Sequence, residues 1–170
     1  EAKPIESVTI DSHDVGADQM LHANLQEWNY AICLVAGMKV RTPNGEKPVE
    51  LLKRGDLVVT RDNGAQRILW AGASKRNVGS GRKPVRIVSG ALGNGLPERD
   101  LVVSPQHRIL VRSKRPGEIM EEALVPAIKL TQLDGIYEDP TFEHVIYCHF
   151  LCEHHEIVYA NGAETESLYF

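Results

Sequence analysis

The distribution of apolar positions divides the chain into two textures. Within residues 1–32, Ala17, Met20, Leu21, Leu25 and Trp28 recur at three- and four-residue spacing, the pattern of a short amphipathic helix, with Asp14 available to begin it. From Met38 onward the apolar residues fall instead in short β-branched runs, separated by Gly, Pro, Asn and Asp at intervals of ~8–12 residues, which predicts an all-β barrel or sandwich. Candidate strands cover 38–42, 56–60, 66–71, 85–88, 101–104, 108–112, 144–151 and 156–160. The change of texture lies near Cys33.

Turn chemistry separates these strands. Asn44-Gly45 and Asn63-Gly64 are steps that tolerate positive φ, so each predicts a tight hairpin. Residues 49–52 read as one helical turn, ended by Gly55 before a new strand. Residues 74–83 are basic, rich in Gly and Ser and without periodicity, which predicts a mobile surface loop whose charge is a solvated face. An internal echo, Val58-Val59-Thr60 against Val102-Val103-Ser104, is compatible with a duplicated β fold.

Charge and composition narrow the function. The chain of 170 residues carries a formal charge of -4, and its 19 Lys and Arg form no long run, which argues against a nucleic-acid partner. Apolar stretches stop at a handful of residues, as at 32–37, far short of the ~20 that span a bilayer. No basic-then-apolar leader opens the sequence, and the absent initiator Met points to a processed piece. Three cysteines, Cys33, Cys148 and Cys152, are too few for a disulfide scaffold, and their odd number leaves at least one free thiol.

Three stretches carry candidate chemistry. Cys33 stands where the helical pattern gives way to strands, and a thiol beside its own backbone can attack the preceding carbonyl. A planar amide resists such attack, so the site has to supply a proton donor near the Cys33 nitrogen and hydrogen bonds to the Ile32 oxygen. Ser104-Pro105-Gln106-His107 follows a strand, and its Pro turns the chain so that hydroxyl and imidazole face one side. In isolation this spacing reads more readily as a turn with a stabilising Ser and a partly exposed His. The third stretch, 147–156, holds Cys148, His149, Cys152, His154 and His155. Strand alternation sends Tyr147, His149 and His155 to one face and Cys148, Cys152 and His154 to the other. A zinc site on Cys148, Cys152 and His154 is the lesser reading, because the spacing lacks a Cys-x-x-Cys knuckle and a distant second pair.

Taken in order, Cys33-Leu34-Val35-Ala36-Gly37, Ser104-Pro105-Gln106-His107 and the block from Val145 to His155 resemble a Hint domain, the autoprocessing module shared by Hedgehog proteins, inteins and bacterial intein-like proteins. The resemblance covers about residues 31–168 and extends through Thr42-Pro43-Asn44-Gly45, Gly55-Asp56-Leu57-Val58, Trp70, Arg99-Asp100-Leu101 and Ala160-Asn161-Gly162-Ala163, nearest in texture to the bacterial branch.

The resemblance implies an all-β horseshoe with pseudo-two-fold symmetry over 33–170, preceded by residues 1–32 as an upstream segment that is the domain's own substrate. It implies an N-to-S acyl shift at Cys33 and cleavage of the Ile32-Cys33 bond, with water or another nucleophile accepting the acyl group and no cofactor or metal. Ser104 stands where the family usually has Thr, His107 is the histidine of that block, and His155 that of the late block. Cys148 falls where many members carry an Asp, so its thiol either holds the acyl group or is packed. Asn161 is preceded by Ala160 and followed by Gly162, unlike the His-Asn ending of a splicing intein, which favours a turn over cyclisation and argues against full splicing. The alternative is a Hint-fold module that binds or braces without processing.

Overall fold

The computed structural model describes residues 32–114 and 116–168. The domain boundary at 32/33 and the amphipathic helix expected around 14–28 thus lie at or outside the edge of the described residues. Among the described residues, fourteen strands make two antiparallel sheets. The first runs β11 (Ile136–Glu138), β7 (Val85–Ile87), β8 (Leu101–Val103), β1 (Leu34–Val35), β12 (His144–Leu151), β6 (Trp70–Asn77). The second runs β10 (Glu121–Pro126), β9 (Arg108–Ser113), β14 (Ala163–Glu166), β13 (Ile157–Ala160), β2 (Lys39–Thr42), β3 (Gly45–Pro48), with β4 (Leu57–Thr60) also on β13 and β5 (Gly64–Arg67) on β4. All-β architecture is therefore as the sequence predicts.

Both sheets feed one apolar core. Leu34, Val85, Ile87, Leu101, Val103 and Phe150 of the first meet Val40, Val58, Ile109, Val158, Ala160 and Ala163 of the second. A smaller cluster of Cys33, Val35, Val78, Val102, Val145 and Tyr147 packs separately. Alternation along β1, β8 and β12 explains the division, because successive side chains leave opposite faces of a strand.

Both Asn-Gly hairpins form. Thr42 pairs with Gly45 and Thr60 with Gly64, and each Gly takes the positive φ for which L side chains are penalised. Asn161-Gly162 is also a turn, with both residues at positive φ (45° and 82°) joining β13 to β14, the combination of a type I′ hairpin. The Asn161 amide is fully engaged there: its Oδ1 accepts from the Lys39 N–H at 2.9 Å and its Nδ2 donates to the Asp100 carbonyl at 2.9 Å. The connector at 49–52 is a short 3-10 segment, Val49–Leu51.

The structure corrects two local expectations. The run at 66–71 is two strands, because the chain changes sheets at Ile68-Leu69: the Ile68 N–H donates to Asp56 beside β4, and the Leu69 N–H to Leu151 of β12. Residues 74–77, expected in a mobile loop, are the second half of β6, paired with 144–147. Their polarity reflects an edge strand with Lys75 and Asn77 exposed, where charge blunts pairing with other chains.

Candidate active site

The turn expected at Ser104 is real. The His107 N–H donates to the Ser104 carbonyl at 3.0 Å, closing a four-residue turn between β8 and β9. A 3-10 segment at Ala127–Gln132 braces it, with Ala127 N–H on the His107 carbonyl and Ile128 N–H on the Pro105 carbonyl, each at 2.9 Å. Ser104 and His107 are both buried.

β1 pairs with β8 on one side and β12 on the other, which carries Cys33 to this turn. The Cys33 N–H donates to Ser104 Oγ at 3.0 Å, and the Ser104 N–H donates back to the Cys33 carbonyl at 2.9 Å. The nitrogen of the Ile32-Cys33 peptide is thereby clamped by a hydroxyl 71 positions away in sequence.

His107 lies against the same main chain. Burial drives its pKa from 6.5 down to about 4, opposed by the charge of Glu166 and by the Cys33 backbone, and reinforced by Arg108. Its Nε2 bonds Thr165 Oγ1, and that hydroxyl donates to the Arg108 carbonyl at 3.0 Å. The ring's other nitrogen is Nδ1. That Nδ1 is buried and has no hydrogen-bond partner among the described residues.

Cys33 itself is 2% exposed, and its thiol is pushed up from 9.0 to about 12, chiefly by burial, with Arg76 pulling down and Cys148 adding to the rise. Val35, Val102, Val145 and Tyr147 surround it. His149 reaches the sulfur: Sγ lies 3.5 Å from its Nδ1. That imidazole is also held neutral, its pKa lowered to about 4 by burial and then by Arg76. Sequence reasoning placed His149 in the late cluster without singling it out. The signal was positional: β1 pairs Leu34 with Cys148 and Val35 with Tyr147, and one further step of that register sets Cys33 opposite His149.

The other two expected site residues stand further off. His155 donates from Nε2 to Glu166 Oε2 at 2.9 Å, and the buried Glu166 carboxylate also accepts from Arg108 Nε at 2.9 Å. His155 thus bonds the same Glu166 carboxylate whose charge acts on His107. Cys148 packs in the main core with Leu34, Phe150 and Cys152, on the face of β12 away from the Cys33 cluster, and burial raises its thiol to about 12. It does line a small half-open cleft with Ile32, His107, His149 and Ser167. For a zinc site the residues do not come together: Cys152 is buried in the core, His154 is exposed, and no group of three metal-binding side chains occurs among the described residues.

Comparison with known proteins agrees with this architecture. No curated protein matches the sequence. Among solved structures, a bacterial intein-like domain from Clostridium thermocellum superposes with TM-score 0.53 at 11% identity, over 81% of this chain and 99% of its own. The MchDnaB-1 intein gives 0.54 at 12% identity, over 79% and 99%. A splice-inactive, GSH-linked variant of the AceL NrdHF class 3 split intein gives 0.51 at 15%, over 80% and 97%. At these identities the likeness is one of fold. The family model described as "Hint domain" matches residues 32–170. With its antiparallel all-β fold and this match over most of its length, the chain belongs to the Hint domain family.

Proposed function

We propose that this Hint domain processes its own chain, cutting the Ile32-Cys33 peptide bond by an N-to-S acyl shift. The observation that carries the reading is the clamp on the scissile nitrogen: Cys33 N–H on Ser104 Oγ at 3.0 Å, with the His107 ring buried beside the same backbone. The hydroxyl holds the scissile nitrogen, and the buried imidazole lies near the main chain of the same residue.

In the proposed step the Cys33 sulfur adds to the Ile32 carbonyl carbon and the S–C bond forms. The C–N bond then breaks, with its electron pair going to the Cys33 nitrogen. Sulfur loses one proton and nitrogen gains one, leaving a thioester at Ile32 and a free amine at Cys33. Ser104 orients the N–H, and His107 delivers the proton to the departing nitrogen, since amine expulsion without a proton is prohibitively slow. With its pKa lowered to about 4 by burial, the ring is neutral near pH 7 and delivers a proton after gaining one. Water or an added nucleophile then takes the acyl group. Asn161, engaged in a hairpin turn, has no part in the chemistry.

The burial of Cys33 favours a second reading, a Hint scaffold that no longer processes. One incubation separates the two. Full-length chain treated with dithiothreitol and weighed by mass spectrometry yields a fragment ending at Ile32 under the processing account, and Cys33→Ala yields none. A wild-type chain that is folded and stays intact under these conditions supports the silent scaffold.

A further inference from the structure

We propose that His149 is the base that takes the Cys33 thiol proton, in a role separate from that of His107, and that Trp70 and Gly72 hold it in place. This rests on the cleavage reading and assigns its missing proton acceptor.

The geometry is specific. Sγ of Cys33 and Nδ1 of His149 are 3.5 Å apart within a buried site, an S–H to N hydrogen-bond distance. Burial holds both groups neutral, so thiol and imidazole form an uncharged pair, and the proton crosses as sulfur forms its bond to carbon. The S–H proton goes to His149 Nδ1, while the nitrogen takes its proton from His107. His149 afterwards releases a proton to solvent and His107 recovers one, so the cycle moves one proton from sulfur to nitrogen overall.

The support beneath His149 is built into the neighbouring strand. Its ring stacks on Trp70 with centroids 5.0 Å apart and planes at 21°. In the β12–β6 register His149 lies across from Gly72, whereas Trp70 lies across from Leu151. The indole therefore leans along β6, over Gly72, to reach the imidazole. A Cβ at position 72 would fall 2.5 Å from the far edge of the indole, closer than such contacts occur, so this Gly creates the space in which the stack forms. A larger residue there tips the indole off His149 without altering any group that touches the reacting atoms.

The test uses the full-length chain and dithiothreitol-induced cleavage followed by mass. His149→Phe keeps an aromatic ring against Trp70 but accepts no proton, and should slow cleavage by about 10²–10⁴-fold, the range for loss of a positioned acid or base. His149→Ala, where it folds by circular dichroism, should be slowed alike and partly rescued by added imidazole. Gly72→Ala should slow cleavage by up to about 10²-fold, as for a displaced reacting group, and shift the His149 ring nitrogen resonances. Separately, Cys33→Ala should shift the ¹⁵N resonance of His149 Nδ1 through loss of the S–H donor. A wild-type chain that cleaves while His149→Phe keeps pace within threefold overturns this assignment alone. A folded wild-type chain that never cleaves overturns the cleavage reading and this assignment with it.

Discussion

Cys33, just before β1, and Cys148, on the neighbouring β12, are equally buried at 2%, with both thiols pushed up to about 12. Residue type, burial and acidity do not distinguish them. What differs is the company each keeps. Cys148 packs against Leu34 and Phe150 in the main core, whereas Cys33 has Ser104 on its nitrogen, the His107 ring along its backbone and His149 at its sulfur. The two faces of β12 thus separate a packed thiol from a surrounded one. Chemistry at a buried cysteine depends on what is aimed at it more than on the sulfur itself.

The contrast breaks most sharply at the leaving nitrogen. His107→Ala should slow cleavage by about 10²–10⁴-fold, followed by mass after dithiothreitol, because the expelled amine then lacks its proton source. An equal rate would remove His107 from the mechanism.

Acid should act on the Cys33 side through the two buried imidazoles. His107 and His149 have folded pKa values of about 4 against the ordinary 6.5, so the unfolded chain takes up protons first as pH falls. The stability each contributes is fully present above pH 6.5 and is lost as pH falls toward about 4, up to about 3 kcal/mol apiece. Urea midpoints at pH 7 and pH 4.5 measure the loss, and His149→Phe should flatten it. If the loss is the same with and without His149, that imidazole is not held neutral.

Ser104→Ala should cost about tenfold in rate, the scale of one net hydrogen bond, while Ser104→Thr, which keeps the hydroxyl, should stay close to wild type. Loss of activity in the Thr variant would show that side-chain size, not the hydroxyl, matters there. The smallest effect belongs to the other face. Cys148→Val should cleave within threefold of wild type, since the substitution nearly conserves volume in an apolar site, with stability changed by less than about 1.5 kcal/mol. A Cys148→Val chain that forms no cleavage product would instead bring that thiol into the acyl pathway, through the cleft it shares with Ile32 and His107.

Much of this was legible in the sequence because apolar periodicity and turn residues act locally. The β-branched runs at 38–42, 56–60, 101–104 and 144–151 became β2, β4, β8 and β12 with shifts of at most one residue at an end, and each Asn-Gly step became a hairpin. Strands rich in charge were not legible. Gly45–Pro48 and Glu121–Pro126 carry Glu or Lys at exposed or half-buried positions, and Ala163–Glu166 buries the charged Glu166, so they form because a partner strand fixes them rather than because their own side chains demand it. Cys33, Ser104 and His107 could be joined through the family resemblance. His149 could not, because its role depends on β1 lying beside β12, and cross-strand register has no local signature.

The measurement closest to the central claim is hydroxylamine trapping of the full-length chain. If sulfur 33 carries the acyl group, hydroxylamine should release residues 1–32 as a hydroxamate on Ile32, together with a fragment beginning at Cys33, and Cys33→Ala should give neither. Scission at another bond, or the same two fragments from Cys33→Ala, would contradict the account.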